Sequence, residues 1–324
     1  MKKIVNDVRL MIKVCDMYYN QNLNQQKIAS ALAISRPTVS RLLSSAREEG
    51  IVKISISNLE EIRYWELERQ LEDRYGLREV LIADSPENES EEFDLLGSLA
   101  AHYVVSKIKA GNIVGVSMGR TLRRMIDHID HPDVADVTVV SMIGGLGDLR
   151  TELHSNSIAE SLARVYDGTF IPLHAPARVS TRKMRDDLMK EGSLSRAVQY
   201  IKHIDVALLG IGYPNEYSSI AATGYFEEED VERLKAKVVA GDICMQFYDI
   251  NGSTAPFRTE NNVVGADIRT LHRIPLRVGI AGGEEKFPSI CGAVRGKYIN
   301  VLITDITCAR MLAGQEPDSA VLTM

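Results

Sequence analysis

Two periodicities divide this chain. Up to about residue 50 the apolar positions recur every three or four residues. From Val80 onward short apolar runs alternate with amphipathic stretches. In the first part Val8, Met11, Ile12 and Cys15 fall at helical spacing within a predicted helix over 6–20. Ile28, Ala29 and Leu32 repeat in a second segment that Asn24 can cap. Val39, Leu42, Leu43 and Ala46 repeat in a third that Ser35 can cap. Pro37 stands in the first turn of that third helix, where a missing N–H costs nothing. Gly50 is placed to end it as the residue just past the C-cap. Residues 51–57 then alternate like a strand from Val52 onward. Three helices and a strand predict a winged-helix-like head over residues 1–57.

The polar face of the third helix carries the chemistry. Arg36, Thr38, Ser40, Arg41, Ser44 and Arg47 fall mainly off its apolar stripe and supply donors. Such a helix, docked behind a short partner helix, is what helix-turn-helix readout of DNA requires. The candidate DNA-binding residues are therefore Lys27, Arg36, Pro37, Thr38, Ser40, Arg41, Ser44 and Arg47. Arg41 is suited to a base edge, whereas Lys27 and Arg47 are suited to phosphates, which position rather than specify. Charge supports the division. Residues 1–53 hold nine Lys/Arg and four Asp/Glu, a net +5, while the whole chain is −6. A basic head on an acidic body directs a polyanion to the head alone.

Residues 59–75 predict a charged amphipathic helix in which Tyr64, Leu67, Leu71 and Tyr75 are spaced by 3, 4 and 4. It suits either packing on its own domain or pairing of subunits, and residues 58–76 are set apart as a linker helix. The acidic run Asp84–Glu92 is expected to be a solvated loop. Beyond it, strands are predicted at 80–83, 113–117, 137–143, 169–173, 205–211, 276–281 and 299–304. Helices are predicted at 93–109, 121–130, 155–166, 194–203, 227–237, 285–295 and 305–313. Near-continuous apolar strands alternating with helices predict an α/β domain over 77–324, with a Rossmann-like parallel sheet covered on both faces.

In such sheets ligands sit beyond the carboxyl ends of the strands, and the turns there are rich in glycine. Gly115 to Leu122 reads strand, glycine turn, helix. Gly119 would let backbone approach a ligand, Ser117 and Thr121 offer hydroxyls, Arg120 adds charge, and the opening N–H groups form an anion cradle. It is neither a Walker sequence nor a GxGxxG fingerprint, which disfavours a nucleotide. Gly144, Gly145 and Gly147 follow the next strand, Gly210 and Gly212 end another, and Asp249 lies in a turn where it could accept from a sugar hydroxyl. Lys286 follows Gly282 and Gly283 in the first turn of a helix. A cation there opposes the helix dipole and is better explained by an anionic partner.

Composition limits the remaining options. With 324 residues, 45% hydrophobic and 25% charged, the chain has the ordinary balance of a globular protein. No apolar run approaches the roughly 18 residues needed to span a bilayer. The N-terminus carries Asp7 and Asp16 and lacks a small-residue cleavage site, so neither signal peptide nor membrane partner is expected, and the location is expected to be cytoplasmic. Cys15, Cys244, Cys291 and Cys308 are widely separated, which predicts buried free thiols rather than disulfides or a metal site. No cofactor is expected.

Taken in order, IASALAISRPTVSRLLSSAREEGIV, VGVSMGRTL, HSNSIAESLA, ALLGIG, VAGDICMQFYDINGS, VGIAGGEEK and YINVLITDITCARML resemble the SorC family of bacterial sugar-responsive transcriptional regulators over nearly the whole chain. The resemblance implies a helix-turn-helix and an effector domain related to sugar-phosphate isomerases and glucosamine-6-phosphate deaminases. It implies a homo-oligomer, dimer or tetramer, that binds operator DNA under control of a small sugar or sugar-phosphate effector. By motif, the phosphate cradle falls on Ser117, Gly119, Arg120 and Thr121, polyol contacts on Asn156 and Asp249, and the ligand's charged or carbonyl end on Lys286. Met118 replaces the aromatic residue common in that loop. The rival is an enzyme of the related classes bearing a DNA-binding head. In the deaminases the GIG turn runs into Asp-Gly-His, and here it runs into Tyr213-Pro214-Asn215, so catalysis is not expected.

Overall fold

The computed structural model describes residues 8–53, 63–85, 88–130, 132–145, 151–213 and 228–314. The chain forms two compact units, Met1–Arg63 and Tyr64–Met324.

In the first unit α1 (Val8–Cys15) is followed by a π-turn, Asp16–Asn20, closed by Asn20 and Gln21 donating to the Asp16 carboxylate at 2.8 Å each. The stripe it buries is Met11, Val14 and Cys15. Val8 and Ile12, expected to face inward, are 51% and 53% exposed. Val8 is in line with Cys15 but two turns before it, and Ile12 lies about 60° round from Cys15, at the margin of the stripe.

α2 (Gln25–Ala31) is capped by the Asn24 side chain, which accepts from Lys27 N–H at 2.9 Å. α3 (Arg36–Glu48) is capped by Ser35, which accepts from Thr38 N–H, with Pro37 in its first turn. The turn between them is a Schellman closure. Ile34 N–H donates to the Ala29 carbonyl at 3.0 Å and Ala33 N–H to Ser30 at 3.4 Å. Ala33 takes the left-handed position, φ 53°, usually given to glycine. Val39, Leu42, Leu43 and Ala46 pack with Ile28, Ala29 and the α1 stripe, and Leu32 lies at the margin. Gly50, φ 71°, ends α3 as expected. Residues 51–53 form a bend, and the rest of the expected strand lies outside the described residues.

The second unit opens with α4 (Trp65–Tyr75). Its strands are β1 (Glu79–Ala83), β2 (Ile113–Val116), β3 (Thr138–Ser141), β4 (Thr169–Ile171), β5 (Val206–Gly210), β6 (Gly241–Ile243), β7 (Gln246–Tyr248), β8 (Leu276–Ile280) and β9 (Val301–Asp305). Its further helices are α5 (Glu89–Lys107), α6 (Arg120–Asp127), α7 (Ser155–Val165), α8 (Arg182–Leu188), α9 (Ser195–Lys202), α10 (Glu228–Ala236), α11 (Ile268–Leu271), α12 (Phe287–Arg295) and α13 (Ile306–Ala313).

Seven strands form one all-parallel sheet in the order β1-β9-β8-β5-β2-β3-β4. Alternate residues feed two cores. Val140, Leu209 and Leu302 enter one face, while Val139, Leu208 and Ile303 enter the other. All seven predicted strands lie in this sheet. The antiparallel β6–β7 hairpin and helices α8 and α11 were not foreseen. The hairpin turns through Cys244 and Met245, buried residues at φ 54° and 56°, with none of the Asn-Gly chemistry that announces such a turn. The expected acidic loop is helical from Glu89, because the Asn88 side chain accepts from Glu91 N–H and starts α5 four residues before the buried Phe93.

The helix set apart as a linker belongs to the second unit. Leu71 is fully buried in that core, with Tyr64, Leu67 and Tyr75 packed against it. Val80 and Ile82, on the free edge of β1, donate their N–H groups to Glu72 and Glu68 at 2.9 and 3.1 Å. One helical turn and two strand residues have nearly the same rise, so carboxylates four apart meet amides two apart. Arg74 and Tyr75 donate to the Ala313 and Leu312 carbonyls at the end of α13, both at 2.9 Å. Cys15, Cys244, Cys291 and Cys308 are free and buried.

Candidate functional site

On the first unit, Lys27, Arg36, Pro37, Ser40, Arg41 and Arg47 are exposed, and Thr38 and Ser44 are half-buried. The Thr38 hydroxyl lies 2.8 Å from that of Ser35, so it supports the cap as well as the polar face. The first two turns of α3 thus present Arg36, Ser40 and Arg41 outward, backed by a packed core.

In the sheet, the chain runs β2, β3, β4 to one side and then returns to β5 on the other side of β2. The crevice between β2 and β5 is the topological switch point. Ser117, only 1% exposed, accepts the Gly210 N–H at 2.9 Å and ties the two strand ends together there. Gly119 caps α6 with φ 129° and ψ 164° and with no side-chain cap bond. That backbone conformation is essentially restricted to glycine. The amides opening α6 therefore lack an intrahelical acceptor and carry the positive end of the helix dipole. Thr121 is buried in that first turn, 5% exposed.

Two cations converge beside it. The Arg120 guanidinium lies 4.5 Å from the Phe93 ring centroid, and the Lys286 ammonium lies 6.0 Å from the same centroid. Lys286 ends the short turn Glu284–Lys286 after β8 and leads into α12. Burial pushes its pKa down, the Glu92 carboxylate opposes that shift, and the charge of Arg120 adds to it. Glu92 lies over Gly283, where an added Cβ would come 3.2 Å from its Oε2.

Asp242 stands on β6 opposite Gly212. Its Oδ2 accepts the Met245 N–H at 3.1 Å, and its buried Oδ1 has no hydrogen-bond partner among the described residues. A Cβ on Gly212 would fall 2.0 Å from that oxygen. Burial pushes the carboxyl pKa up to about 7, against the smaller opposing effects of the Met245 N–H and the Lys286 charge. A carboxyl poised near neutrality beside a cation is typical of a ligand or proton-transfer site.

Other expected contacts are used elsewhere. Asn156 brackets the backbone of Leu173, accepting its N–H at 3.0 Å and donating to its carbonyl at 3.3 Å. Asp249 Oδ1 accepts from Asn251 and Ser253 N–H at 2.9 Å each, holding its own turn. That turn meets α12 at Gly292 and Gly296, towards the opposite end from Lys286. Gly144 and Gly145 pair by backbone with Val264 and Ala175 at 3.0 and 2.7 Å, so this turn is a packing element. Gly147 lies outside the described residues, as do Pro214 and Asn215. The structure thus brings Ser117, Gly119, Arg120, Thr121 and Lys286 to one crevice and leaves Asn156 and Asp249 in backbone-holding roles. Asp242, Glu92 and Phe93 were missed. Asp242 had a signal, a single acid inside an otherwise apolar run, whereas Phe93 and Glu92 had none in local pattern.

A DNA-reading helix pair joined to an α/β domain with a cationic switch-point crevice defines a ligand-controlled regulator class. Residues 60–313 match the family described as "Putative sugar-binding domain", and residues 10–68 match the Crp-like helix-turn-helix domain. The chain is 34% identical to the sorbitol operon regulator of Klebsiella pneumoniae over 95% of this chain and 98% of that protein. It is 33% identical to the deoxyribonucleoside regulator of Bacillus subtilis, covering 94% and 97%. The full-length Klebsiella crystal structure superposes with a TM-score of 0.70 over 95% of this chain and 99% of that one. A sor operon regulator from Shigella flexneri gives 0.71 at 30% identity, over 78% and 99%. The chain belongs to the SorC family of sugar-binding transcriptional regulators. No helix among the described residues is long and apolar enough to cross a membrane, and no group there could hold a metal ion.

Proposed function

We propose that this regulator is cytoplasmic, binds its operator through α3 as a homo-oligomer, and is switched by a phosphorylated sugar or polyol held in the β2–β5 crevice. The observation that carries the effector reading is the start of α6 at Gly119, which has no side-chain cap, together with Arg120, its first residue, and Lys286 facing the same Phe93 ring. A phosphate accepts from the amides of the first turn, Arg120 supplies countercharge, and Lys286 and Asp242 hold the other polar groups of the ligand. Relatives named for a sorbitol operon and for deoxyribonucleosides motivate the probes: sorbitol, deoxyribose and the terminal phosphate ester of each. A binder at about 100 times its Kd raises stability by roughly 2.7 kcal/mol. The phosphate esters are expected to raise Tm, and Thr121→Ala and Lys286→Ala to abolish the rise. If both variants keep the full shift, the crevice is not the effector site.

On the DNA side, Arg41 reads a base edge and Arg47 a phosphate. Arg41→Ala is expected to lose about 1–3 kcal/mol of discrimination between operator and random DNA. Arg47→Ala is expected to weaken both alike and to lower the log–log salt slope by about 0.9. Equal losses on both DNAs for Arg41→Ala in a binding titration would remove its base-reading role.

The rival reading is catalysis, and the poised Asp242 beside Lys286 is the observation in its favour, since proton transfer needs such a group near neutral pKa. The same pair serves binding equally well. Turnover of a hexose or pentose phosphate in a coupled assay would reverse the ranking.

A further inference from the structure

Phe93 belongs to no motif of the glycine turns, yet it is where two of their cations meet. It lies early in α5, is 9% exposed, and comes from a different segment than either Arg120 or Lys286. Arg120 opens α6 after β2, and Lys286 ends the turn after β8, so the two are on loops separated in the sheet by β5. Both charges face one ring, the Arg120 guanidinium 4.5 Å and the Lys286 ammonium 6.0 Å from the Phe93 centroid. Two like charges brought together in a half-buried crevice repel. The negative face of an aromatic ring offsets part of that repulsion and holds each cation to a defined direction. Glu92, one residue earlier on the same helix turn, adds a carboxylate over Gly283. The start of α5 is thus built as a platform for the cation pair.

We infer that Phe93 is a positioning residue that sets the spacing of Arg120 and Lys286 and thereby favours an anionic over a neutral effector. This deepens the effector reading above and rests on it for the ligand, but the geometry of the cation pair stands without one. A neutral polyol, recognised by hydrogen bonds alone, gains little from the spacing. A phosphomonoester, whose charge must be met from more than one side, depends on it.

The test uses the full chain with Phe93→Leu, which keeps an apolar side chain of comparable bulk, and Phe93→Tyr, which keeps the ring. The probes are the phosphate esters of sorbitol and deoxyribose and free sorbitol, by titration calorimetry. Phe93→Leu is expected to weaken the esters by roughly threefold to thirtyfold while changing free sorbitol little, and Phe93→Tyr to restore affinity to within about twofold of the parent. Carbon NMR of the lysine side chains, without ligand, reads the pair directly: the Lys286 titration should move to lower pH in Phe93→Leu and stay in place in Phe93→Tyr. Unchanged ester affinity together with an unchanged Lys286 titration in Phe93→Leu would overturn the inference, as would equal loss in both variants. If no ester binds the parent protein, the effector reading fails. The lysine titration then decides the role of Phe93 by itself.

Discussion

Asp242→Asn is expected to remove a fall in stability with rising pH from the second unit. The Asp242 carboxyl sits at about 7 when folded and 3.8 when unfolded. Between those values the folded protein holds a proton that the unfolded chain has released. Stability therefore falls as pH rises through this window, and the sign is opposite to that of a carboxylate in a salt bridge. Above neutrality the unrelieved cost is about 4 kcal/mol, taking about 1.4 kcal/mol per pKa unit. Asparagine cannot titrate. It keeps an acceptor for Met245 N–H but turns an amide towards Gly212, which costs about 1–3 kcal/mol at every pH when no partner is found. The variant should thus be within about 1 kcal/mol of the parent at pH 5 and more stable than it at pH 8, a swing of about 3 kcal/mol. Trp65 is the single tryptophan and lies in α4, so its fluorescence during urea unfolding reports this unit alone. Parallel pH curves for parent and variant would show that Asp242 is not the buried titrating group.

Gly144→Ala is expected to cost about 3 kcal/mol or more, a severe overpacking. Its Cβ would lie 2.4 Å from the Ala175 carbonyl oxygen and 2.7 Å from that of Pro176. Both are backbone atoms, and neighbouring bonds pin them: Gly145 N–H to Ala175 at 2.7 Å and Ala177 N–H to the Gly145 carbonyl at 2.8 Å. Gly119→Ala provides the contrast. No atom lies within 4 Å of its added Cβ, and only the φ of 129° resists, which costs on the order of 1–3 kcal/mol. Gly144→Ala should lower the urea midpoint of Trp65 fluorescence far more than Gly119→Ala, while Gly119→Ala should abolish the effector-induced Tm shift. Equal midpoints would mean that the two glycines are not divided into packing and ligand positions.

That division marks the limit of the sequence reading. Apolar runs such as VALLG and VLITD could only be strands buried on both faces, and Asn24, Ser35 and Gly50 punctuated the helices by cap chemistry, so strands and head helices were legible. The turn at Ser117–Thr121 was legible for the same reason, lying between a recognised strand and a recognised helix. Glycines at strand ends, by contrast, look alike whether they admit a ligand or a carbonyl, and only the approach of Ala175 distinguishes Gly144. Asp249 carried suitable chemistry in a suitable turn and the family resemblance pointed to Asn156, but the Asp249 Oδ1 and the Asn156 amide hold nearby backbone. Asp242 escaped notice because its hairpin turns through Cys244 and Met245, a left-handed pair that local propensity argues against. Val8 and Ile12 show the same limit at smaller scale: spacing identifies a helix, but the neighbours decide which face is buried.

The pairing of Glu68 and Glu72 with the outer edge of β1 has a consequence for assembly. An uncovered strand edge invites another chain to add to the sheet, and proteins cover or charge such edges to prevent it. Here the outward amides of Val80 and Ile82 are already taken by carboxylates of α4. An incoming strand would have to strip that helix from the sheet and leave two carboxylates without their donors. The same helix therefore stands in the way of sheet-to-sheet pairing through β1 and guards that edge against aggregation.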